Sequence, residues 1–172
     1  MLRTLLKSDL VQLLAIEQSV HVVPWTENIF TTCLEAGYQG WVFEADQKVI
    51  GFIIVSQRFS ECHILNLCVA RSYQHQGFGR KLIQHALDEA KKEGAGIIYL
   101  EVRRSNSRAI TLYRKMKFHL IGERKDYYPT ISGHEDALIF ALPCQLAIVF
   151  PCRLFRCQLS VSLHPWISGL LF

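Results

Sequence analysis

A glycine-containing segment, RSYQHQGFGRKL, precedes a regular apolar stripe in the sequence. The first turn of a helix leaves backbone N–H groups without intrahelical partners, and the helix dipole adds partial positive charge there. Gly77 and Gly79 carry no side chain, so an anion can approach these N–H groups closely, and Arg80 and Lys81 add positive charge. The pattern indicates a pyrophosphate site at a strand-to-helix junction. A tight corner with solvated basic residues is the alternative.

Two common nucleotide motifs do not fit this segment. A Rossmann dinucleotide site needs a third glycine and a tight turn after the strand, whereas the link here, ARSYQHQ, is long and the third glycine is missing. A Walker A site needs G-K-[ST], which does not follow. The segment therefore indicates a different kind of phosphate site.

Two further residues have side chains suited to proton transfer. Glu101 lies within the apolar segment IIYLEV, where an ionisable group is costly unless it has a partner or a task. Tyr113 lies on the apolar face of a predicted helix, and a phenol with a pKa of about 10 stays protonated at neutral pH and can donate a proton. On the residue pattern alone, the simpler interpretation of Glu101 is a strand-end carboxylate facing solvent. Tyr113 can equally be a core residue beside Leu112 and Met116.

The composition indicates one folded domain. The chain has 172 residues, of which 50% are hydrophobic and 20% charged, so it can bury a core and is not a disordered tail. Its net charge of +4 is too small to indicate a dedicated nucleic-acid binder, and it suits an enzyme that meets an anionic cofactor.

Cysteine and histidine usage predicts reduced thiols and no metal. The six cysteines form no C-x-x-C pair, and the N-terminus MLRTLLKSDLVQLL lacks a secretory signal, so we expect a cytoplasmic protein. The histidines have no metal-ligand spacing and are expected to be solvated or structural; those considered are His21, His63, His75, His85 and His119.

The apolar periodicity predicts a mixed α/β (α+β) order of elements. Two helices come first, capped by Ser8-Asp9 and by Thr26, and a strand pair turning at Asp46-Gln47 follows. Ile64 to Val69 is predicted to be a strand sheltered on both faces, because polar residues barely interrupt it. A helix with an apolar stripe, the strand IIYLEV, a helix begun by Ser105 or Asn106, and two antiparallel strands (HLIGER and DALIFAL) complete the order. The β-α-β crossover requires a parallel strand pair.

The last part of the chain differs from the rest. Residues 144–172 contain two arginines and no acidic residue, and they show no clean period. Arg153, Arg156 and Pro151 interrupt the apolar run well short of the ~20 residues that a bilayer span needs. We therefore divide the chain into a catalytic domain over residues 1–143 and an apolar extension of unknown role over 144–172, and we predict no membrane span.

The motifs resemble those of a known family. NLCVARSYQHQGFGRKLIQHAL is similar to the central motif of the GNAT acetyltransferases, Q/R-x-x-G-x-G/A, with Gln74, Gly77 and Gly79 at its three defining positions. The segments YLEVRRSNSRAITLYRKMKF, KDYYPTISGHEDALIFALP and HVVPWTENIF resemble the RimI-type ribosomal-protein-alanine N-acetyltransferases. The resemblance covers about residues 2–143. It implies the GNAT fold, a mostly antiparallel sheet with a central, splayed parallel strand pair.

The resemblance also implies acetyl-CoA as co-substrate and a set of residues that contact it. The pantetheine arm would lie in the gap between the two splayed strands, beside Leu67, Cys68 and Val69, with the Val69 N–H as an oxyanion donor. This chain has Leu67-Cys68 where relatives often have Ile-Ala. The resemblance implies that the acetyl group passes directly from acetyl-CoA to the amine, without an acetylated Cys68 intermediate. The implied cofactor-binding residues are Leu67, Cys68, Val69, Gln74, His75, Gln76, Gly77, Phe78, Gly79, Arg80 and Asn106. N-capping is an adequate rival role for Asn106.

In the family, a carboxylate takes the proton of the acceptor amine and a tyrosine protonates the leaving thiolate. The resemblance assigns these roles to Glu101 and Tyr113, with Tyr128 and Glu135 near the acceptor peptide. The implied reaction is acetylation of the N-terminal alanine of a small-subunit ribosomal protein. Acetylation of a lysine, polyamine or aminoglycoside, or acyl-CoA binding without turnover, are the alternatives.

Overall fold

The computed structural model describes residues 1–144, in which seven strands form a single sheet with α-helices on both faces. The elements in chain order are β1 (Leu2–Thr4), α1 (Leu10–Val20), α2 (Glu27–Glu35), β2 (Gln39–Ala45), β3 (Lys48–Arg58), β4 (Glu61–Val69), α3 (Phe78–Lys92), β5 (Ile97–Arg103), α4 (Ser107–Lys115), β6 (His119–Thr130) and β7 (Gly133–Pro143). The sheet order is β1-β2-β3-β4-β5-β7-β6. Among the strands of residues 1–144, only β4 and β5 pair in parallel. The predicted mixed sheet with one parallel pair is confirmed.

The hairpin between β2 and β3 turns where the sequence predicts. Asp46 and Gln47 have φ angles of 49° and 60°, so both central residues of the turn are left-handed. Two-residue turns of this kind match the right-handed twist of the flanking strands. The strand β1, which pairs with β2 from Leu2 to Thr4, was not predicted because three residues carry too little pattern.

A bulge in β4 opens the centre of the sheet. In the β3–β4 register Ile54 faces Asn66 and Val55 faces Ile64, so Leu65 is an extra residue on β4. Parallel pairing between β4 and β5 ends at Ile64 and Leu100, next to the bulge, although both strands continue beyond it. The two strands therefore separate into a gap, as the predicted splay requires.

Two apolar layers cover the sheet. On one face α3 buries the stripe that the sequence predicts, and on the other α1 and α2 pack over a second cluster that contains Phe30 and Phe52. The buried α3 residues are Leu82, Ile83, Ala86, Leu87 and Ala90. β4 alternates between buried and half-buried positions. The expectation that β4 is sheltered on both faces is therefore wrong, because His63, Leu65 and Leu67 line an open cavity and are only half-buried.

The predicted helix caps are only partly present. Asn106 Oδ1 accepts a hydrogen bond from the Ala109 N–H at 3.1 Å and caps α4. Thr26 makes no side-chain cap bond to α2. Asp9 makes none to α1 either; its carboxylate instead accepts from the Leu6 N–H at 2.8 Å and pairs with Arg3. Asp9 thus holds the N-terminal segment to the start of α1.

The proposed extension lies almost wholly outside the described residues. Of residues 144–172 the structure describes Cys144, whose N–H donates to the Gly96 carbonyl at 2.9 Å. Within residues 1–144, no helix has the length and apolar character needed to cross a bilayer. The four cysteines in this part of the chain are free thiols, as predicted: Cys33, Cys62, Cys68 and Cys144.

Candidate active site

The gap between β4 and β5 contains a cavity of about 180 Å³. Its walls come from α1, the segment that follows α1, both splayed strands, α4 with its N-cap residue, the end of β6 and β7. Five of the sequence-predicted site residues line it: Leu67, Glu101, Asn106, Tyr113 and Tyr128. The splay thus brings together the predicted base and the predicted acid, which belong to different elements.

Glu101 follows Leu100, the last residue of β5 that pairs with β4, and it lines this cavity. Its side chain is 16% exposed, and Arg124 Nε on β6 lies 2.9 Å from its Oε1. The Tyr127 hydroxyl hydrogen-bonds to the same carboxylate. Within residues 1–144, no group donates a directed hydrogen bond to the buried Oε1. The Oε1 atom is thus ion-paired with Arg124 without accepting a directed hydrogen bond, and it keeps a lone pair that can accept a proton from a molecule in the cavity.

The surroundings of Glu101 change its acidity. Burial raises the pKa of Glu101 above its ordinary value, although the Tyr127 hydroxyl and the Arg124 charge both act to lower it. A carboxylate with a raised pKa is a stronger base than an exposed one, and perturbed carboxylates in clefts are typical of catalytic sites. The solvent-facing interpretation of Glu101 is wrong, because the side chain is enclosed by β6.

Tyr113 lies on the buried face of α4, 6% exposed, and also lines the cavity. Its ring packs against Phe118 and Phe140, with centroid distances of 5.9 and 6.3 Å. Burial raises the pKa of Tyr113 to about 12. The hydroxyl is therefore protonated at neutral pH and can act only as a proton donor there. Tyr113 can be both a core residue and a site residue, since its ring packs against Phe118 and Phe140 while the side chain also lines the cavity.

The outer end of the cavity has a rigid polar rim. The Arg103 guanidinium lies 4.5 Å from the centroid of the Tyr128 ring, and its Nη1 pairs with Glu135 Oε1 at 2.9 Å and donates to the Pro129 carbonyl at 3.0 Å. Tyr128 and Glu135 face each other across β6 and β7, so they belong to the strand pair itself. The rim is fixed before any acceptor binds.

The glycine segment forms the N-terminus of α3, as predicted. Gly77 is the N-cap residue with φ of +84°, and His75 before it has φ of +64°. Within the described chain no side chain caps this end of the helix. A Cβ added at Gly77 would meet no atom within 4 Å, so open space lies over the unpaired N–H groups. A diphosphate fits this arrangement, since it needs donors, positive dipole charge and room.

Basic residues beside this helix end are held in place. Lys81 Nζ lies 5.4 Å from the Phe78 ring centroid and 5.8 Å from that of Phe43. Arg71 Nε donates to the Ser19 carbonyl, whereas Arg80 is exposed on the first turn of α3. The positive charge of Lys81 therefore lies near the helix end, whereas Arg71 is tied to the end of α1.

The glycine segment is tied to the end of β4. Gln74 Nε2 donates to the Val69 carbonyl at 3.0 Å, and the position of a Gly79 Cβ is 3.8 Å from Val69 Cγ2. The Val69 N–H makes a hydrogen bond to the Cys68 sulfur. Cys68 and Val69 do not line the cavity, whereas Leu67 does. Val69 thus connects the phosphate end of the site to the cavity.

The remaining predicted residues lie at the helix end and not in the cavity. His75 and Gln76 are exposed, Phe78 is half-buried, and Gln76 Nε2 donates to the Ser72 carbonyl at 3.1 Å. Phe78 packs edge-on against Phe43 at a centroid distance of 4.8 Å. These contacts keep the segment folded and leave its backbone facing outward.

Sequence reasoning missed Glu17, a carboxylate on α1 that also lines the cavity. It is 2% exposed; its Oε1 accepts from the Trp25 N–H at 3.2 Å and its Oε2 from Asn66 Nδ2 at 3.3 Å. Glu17 therefore joins α1, the segment after it and the bulged part of β4. The available signal was its place in the apolar stripe of α1, beside Leu13, where a carboxylate needs partners.

Comparison with known proteins gives the class to which this fold and site belong. Residues 8–118 match the acetyltransferase (GNAT) family. The chain therefore belongs to the GNAT family of acetyltransferases, and its co-substrate is acetyl-CoA.

Individual relatives lie within this family. The chain is 38% identical over 139 residues to the [ribosomal protein bS18]-alanine N-acetyltransferase of Escherichia coli K12, covering 81% of this chain and 94% of the relative. The crystal structure of the ribosomal-protein-S18-alanine N-acetyltransferase from E. coli superposes with a TM-score of 0.80 at 37% identity, covering 86% and 95% of the two chains. The structure of Arabidopsis thaliana NAA60 in complex with acetyl-CoA shares the fold, with a TM-score of 0.74 at 21% identity, covering 83% of this chain and 97% of that one.

Proposed function

We propose that this chain transfers the acetyl group of acetyl-CoA to the N-terminal α-amino group of alanine on a small-subunit ribosomal protein, with bS18 as the leading candidate. The observation that carries the proposal is the identity of 38% over 94% of the E. coli enzyme, whose name specifies that reaction. Because the match covers nearly the whole E. coli enzyme, it includes the residues of the acceptor cavity as well as those of the cofactor end.

In this proposal the cofactor end uses backbone more than side chains. The pyrophosphate is held by the N–H groups that follow Gln74, around Gly77 and Gly79, with His75, Gln76, Phe78 and Arg80 forming the same turn. The pantetheine arm lies beside Leu67, Cys68 and Val69, which lie past the bulge and no longer pair with β5. Asn106 contributes from the start of α4, where its Oδ1 already caps the helix. Acetyl-CoA supplies an activated acetyl group as a thioester.

Glu101 is the proposed general base. The α-amino group of a peptide has a pKa of about 7.7–8.0, so a useful fraction is neutral at physiological pH, whereas a lysine amine with a pKa of about 10.4 is almost wholly charged. The Oε1 atom that lacks a hydrogen bond can accept the proton that the attacking nitrogen loses. Burial makes the Glu101 carboxylate more basic, which favours its acceptance of this proton.

Tyr113 is the proposed general acid. When the amine displaces coenzyme A, the sulfur leaves with a negative charge and needs a proton. The Tyr113 hydroxyl is protonated at neutral pH and lines the same cavity as Glu101. The phenol therefore meets the two requirements for a donor, the correct protonation state and access to the reaction space.

Direct transfer is favoured over an acetylated cysteine. Burial raises the pKa of the Cys68 thiol far above its ordinary value, and the nearby Glu17 carboxylate acts in the same direction. A thiol held in its protonated form is a poor nucleophile. The Val69 N–H can serve as an oxyanion donor only by exchanging its bond to the Cys68 sulfur for one to the thioester oxygen.

A peptide panel tests the proposed reaction. The full chain is incubated with acetyl-CoA and a peptide that begins with the N-terminal sequence of bS18 and contains an internal lysine. The matched controls are the same peptide with its N-terminus blocked, a polyamine and an aminoglycoside. Fragment mass spectrometry should place one acetyl group on the α-amino group of the free peptide alone. Acetylation of the blocked peptide or of the small amines would assign a different acceptor, and acetyl-CoA binding without any product would indicate a binding module.

A further inference from the structure

Three side chains with metal-binding atoms meet where α1 ends against β4. The carboxylate of Glu17, the imidazole of His21 and the thiol of Cys68 lie together, and their ligand atoms are all within 4.8 Å of one another. Glu17 Oε2 and His21 Nε2 are 3.9 Å apart. We propose that this cluster is a binding site for a divalent transition metal ion of the zinc class, and that the bound ion keeps the acceptor amine out of the cavity.

The donor set selects the kind of ion. Thiolate, imidazole and carboxylate are the three ligand types of zinc sites, whereas magnesium and calcium require sets made of oxygen. Three protein ligands leave a fourth position of a tetrahedral ion for water or another molecule. As the metal–sulfur bond forms, the Cys68 thiol releases its proton to solvent. The thiolate and the Glu17 carboxylate together then balance the charge of the dication.

Hydrogen bonds already orient two of the three ligands. The Trp25 N–H and Asn66 Nδ2 donate to the two oxygens of Glu17, at 3.2 and 3.3 Å, and the Val69 N–H donates to the Cys68 sulfur. Outer hydrogen bonds of this kind fix ligand geometry and are typical of metal centres. Both Glu17 and Cys68 are only 2% exposed, so neither has to be withdrawn from bulk solvent on binding.

The site faces the reaction space. Glu17 and His21 line the same cavity as Glu101, so an ion held by them would lie at the wall of the space where an acceptor would bind. A cation there would repel an incoming ammonium group and occupy part of its volume. This blocking effect depends on the proposed function, whereas metal binding itself does not.

Cobalt(II) provides a direct spectroscopic test, because a thiolate–cobalt bond gives a near-ultraviolet charge-transfer band that other ligands do not give. The full chain is titrated with Co²⁺ without oxygen, alongside Cys68→Ala, His21→Gln and Cys33→Ala. Cys33 is a matched control, since it is a buried cysteine of the same apolar cluster and no member of the metal-binding group. The wild type and Cys33→Ala should develop the band, and Zn²⁺ should remove it. Cys68→Ala should lose the band, and His21→Gln should weaken Co²⁺ binding by more than about tenfold.

Two results would overturn the site: no charge-transfer band in the wild type, or an equal band in Cys68→Ala, which would place the ion on other cysteines. If Cys68→Ala fails to fold, as judged by circular dichroism, His21→Gln carries the test, because His21 is partly exposed and its replacement leaves the core intact. Unchanged Co²⁺ affinity in that variant would also contradict the proposal.

The blocking effect is measured separately. Acetyl transfer is followed with and without Zn²⁺, and each variant is normalised to its own metal-free rate. Zn²⁺ should lower the normalised rate in the wild type and in Cys33→Ala, and a chelator should restore it, whereas Cys68→Ala should be insensitive. Equal inhibition of Cys68→Ala, or a bound ion that leaves wild-type transfer unchanged, would overturn the blocking effect. A chain that transfers no acetyl group at all would refute the proposed function, while the cobalt titration would still decide the metal site.

Discussion

Ile64 on β4 and Leu100 on β5 form the last parallel pair between the two strands, and Glu101 is the next residue along β5. The bulge at Leu65 ends the pairing of β4 with β5 there. Beyond this point the edge of β5 that carries Glu101 faces an open gap. The position of the proposed base is therefore fixed by backbone geometry. A regular β4 would have paired on past Leu100 and closed the cavity.

Replacing Glu101 with Gln should lower kcat by about 100-fold or more, the usual contribution of a general base. The amide keeps the shape and the Tyr127 contact but cannot accept the amine proton. Acetyl-CoA affinity, measured by calorimetry, should stay near the wild-type value, because Glu101 lies in the cavity and not at the helix end. Glu123→Gln, an equivalent change at an exposed carboxylate of β6, is the control and should keep its rate. A normal kcat in Glu101→Gln would remove the base from the mechanism.

Removing the Tyr113 hydroxyl in Tyr113→Phe should lower kcat by about tenfold to 100-fold, with acetyl-CoA binding retained. The phenyl ring preserves the contacts with Phe118 and Phe140, so the core should stay packed. Tyr38→Phe is a matched control, because Tyr38 packs against the other apolar cluster, away from the cavity. Steady-state kinetics with the alanine peptide measures both. Equal rates in the two variants would show that Tyr113 is only a core residue.

The glycine at the start of α3 can be tested against one at the other end of the same helix. Gly77 and Gly94 have φ of +84° and +86°, and a Cβ at either would meet nothing within 4 Å. Alanine at either position should therefore cost a similar free energy of unfolding, about 1–2 kcal/mol. Only Gly77→Ala should weaken acetyl-CoA binding, since its Cβ would occupy space meant for phosphate. Equal acetyl-CoA affinity in the two variants would contradict the phosphate cradle.

The raised pKa of Glu101 predicts how stability depends on pH. Because the folded state holds the proton more tightly than the unfolded state, ionising Glu101 costs stability as pH rises through its raised pKa. The Gln side chain of Glu101→Gln does not ionise, so this variant avoids that cost. The melting temperature of the variant minus that of the wild type should therefore increase as pH rises above about 4.3, the ordinary pKa of a glutamate carboxyl group. Thermal melts of both proteins across this range measure the difference. A difference that is constant with pH would contradict the raised pKa.

Local features of this chain could be predicted from its sequence. The α3 stripe, the turn at Asp46-Gln47 and the Asn106 cap depend on residues close together in the chain, where periodicity and capping rules apply. The roles proposed for Glu101 and Tyr113 came from a family resemblance, since spacing alone left both with structural explanations. The structure adds burial and a shared cavity to that resemblance.

Other features depend on partners distant in sequence and could not be predicted. The bulge at Leu65 exists only relative to β3, because an extra residue in an apolar run has no signature of its own. The meeting of Glu17 with Cys68 requires α1 to cross β4, and the pairing of Arg124 with Glu101 requires β6 to return beside the cavity. Histidine spacing likewise gave no sign that His21 approaches a cysteine.

The central claim is tested most directly by incubating the full chain with acetyl-CoA and the free N-terminal peptide of bS18, followed by fragment mass spectrometry of the product. The account predicts one acetyl group on the alanine α-amino group, formed by the wild type and lost in Glu101→Gln. An unmodified peptide, or an acetyl group on a side chain, would contradict it.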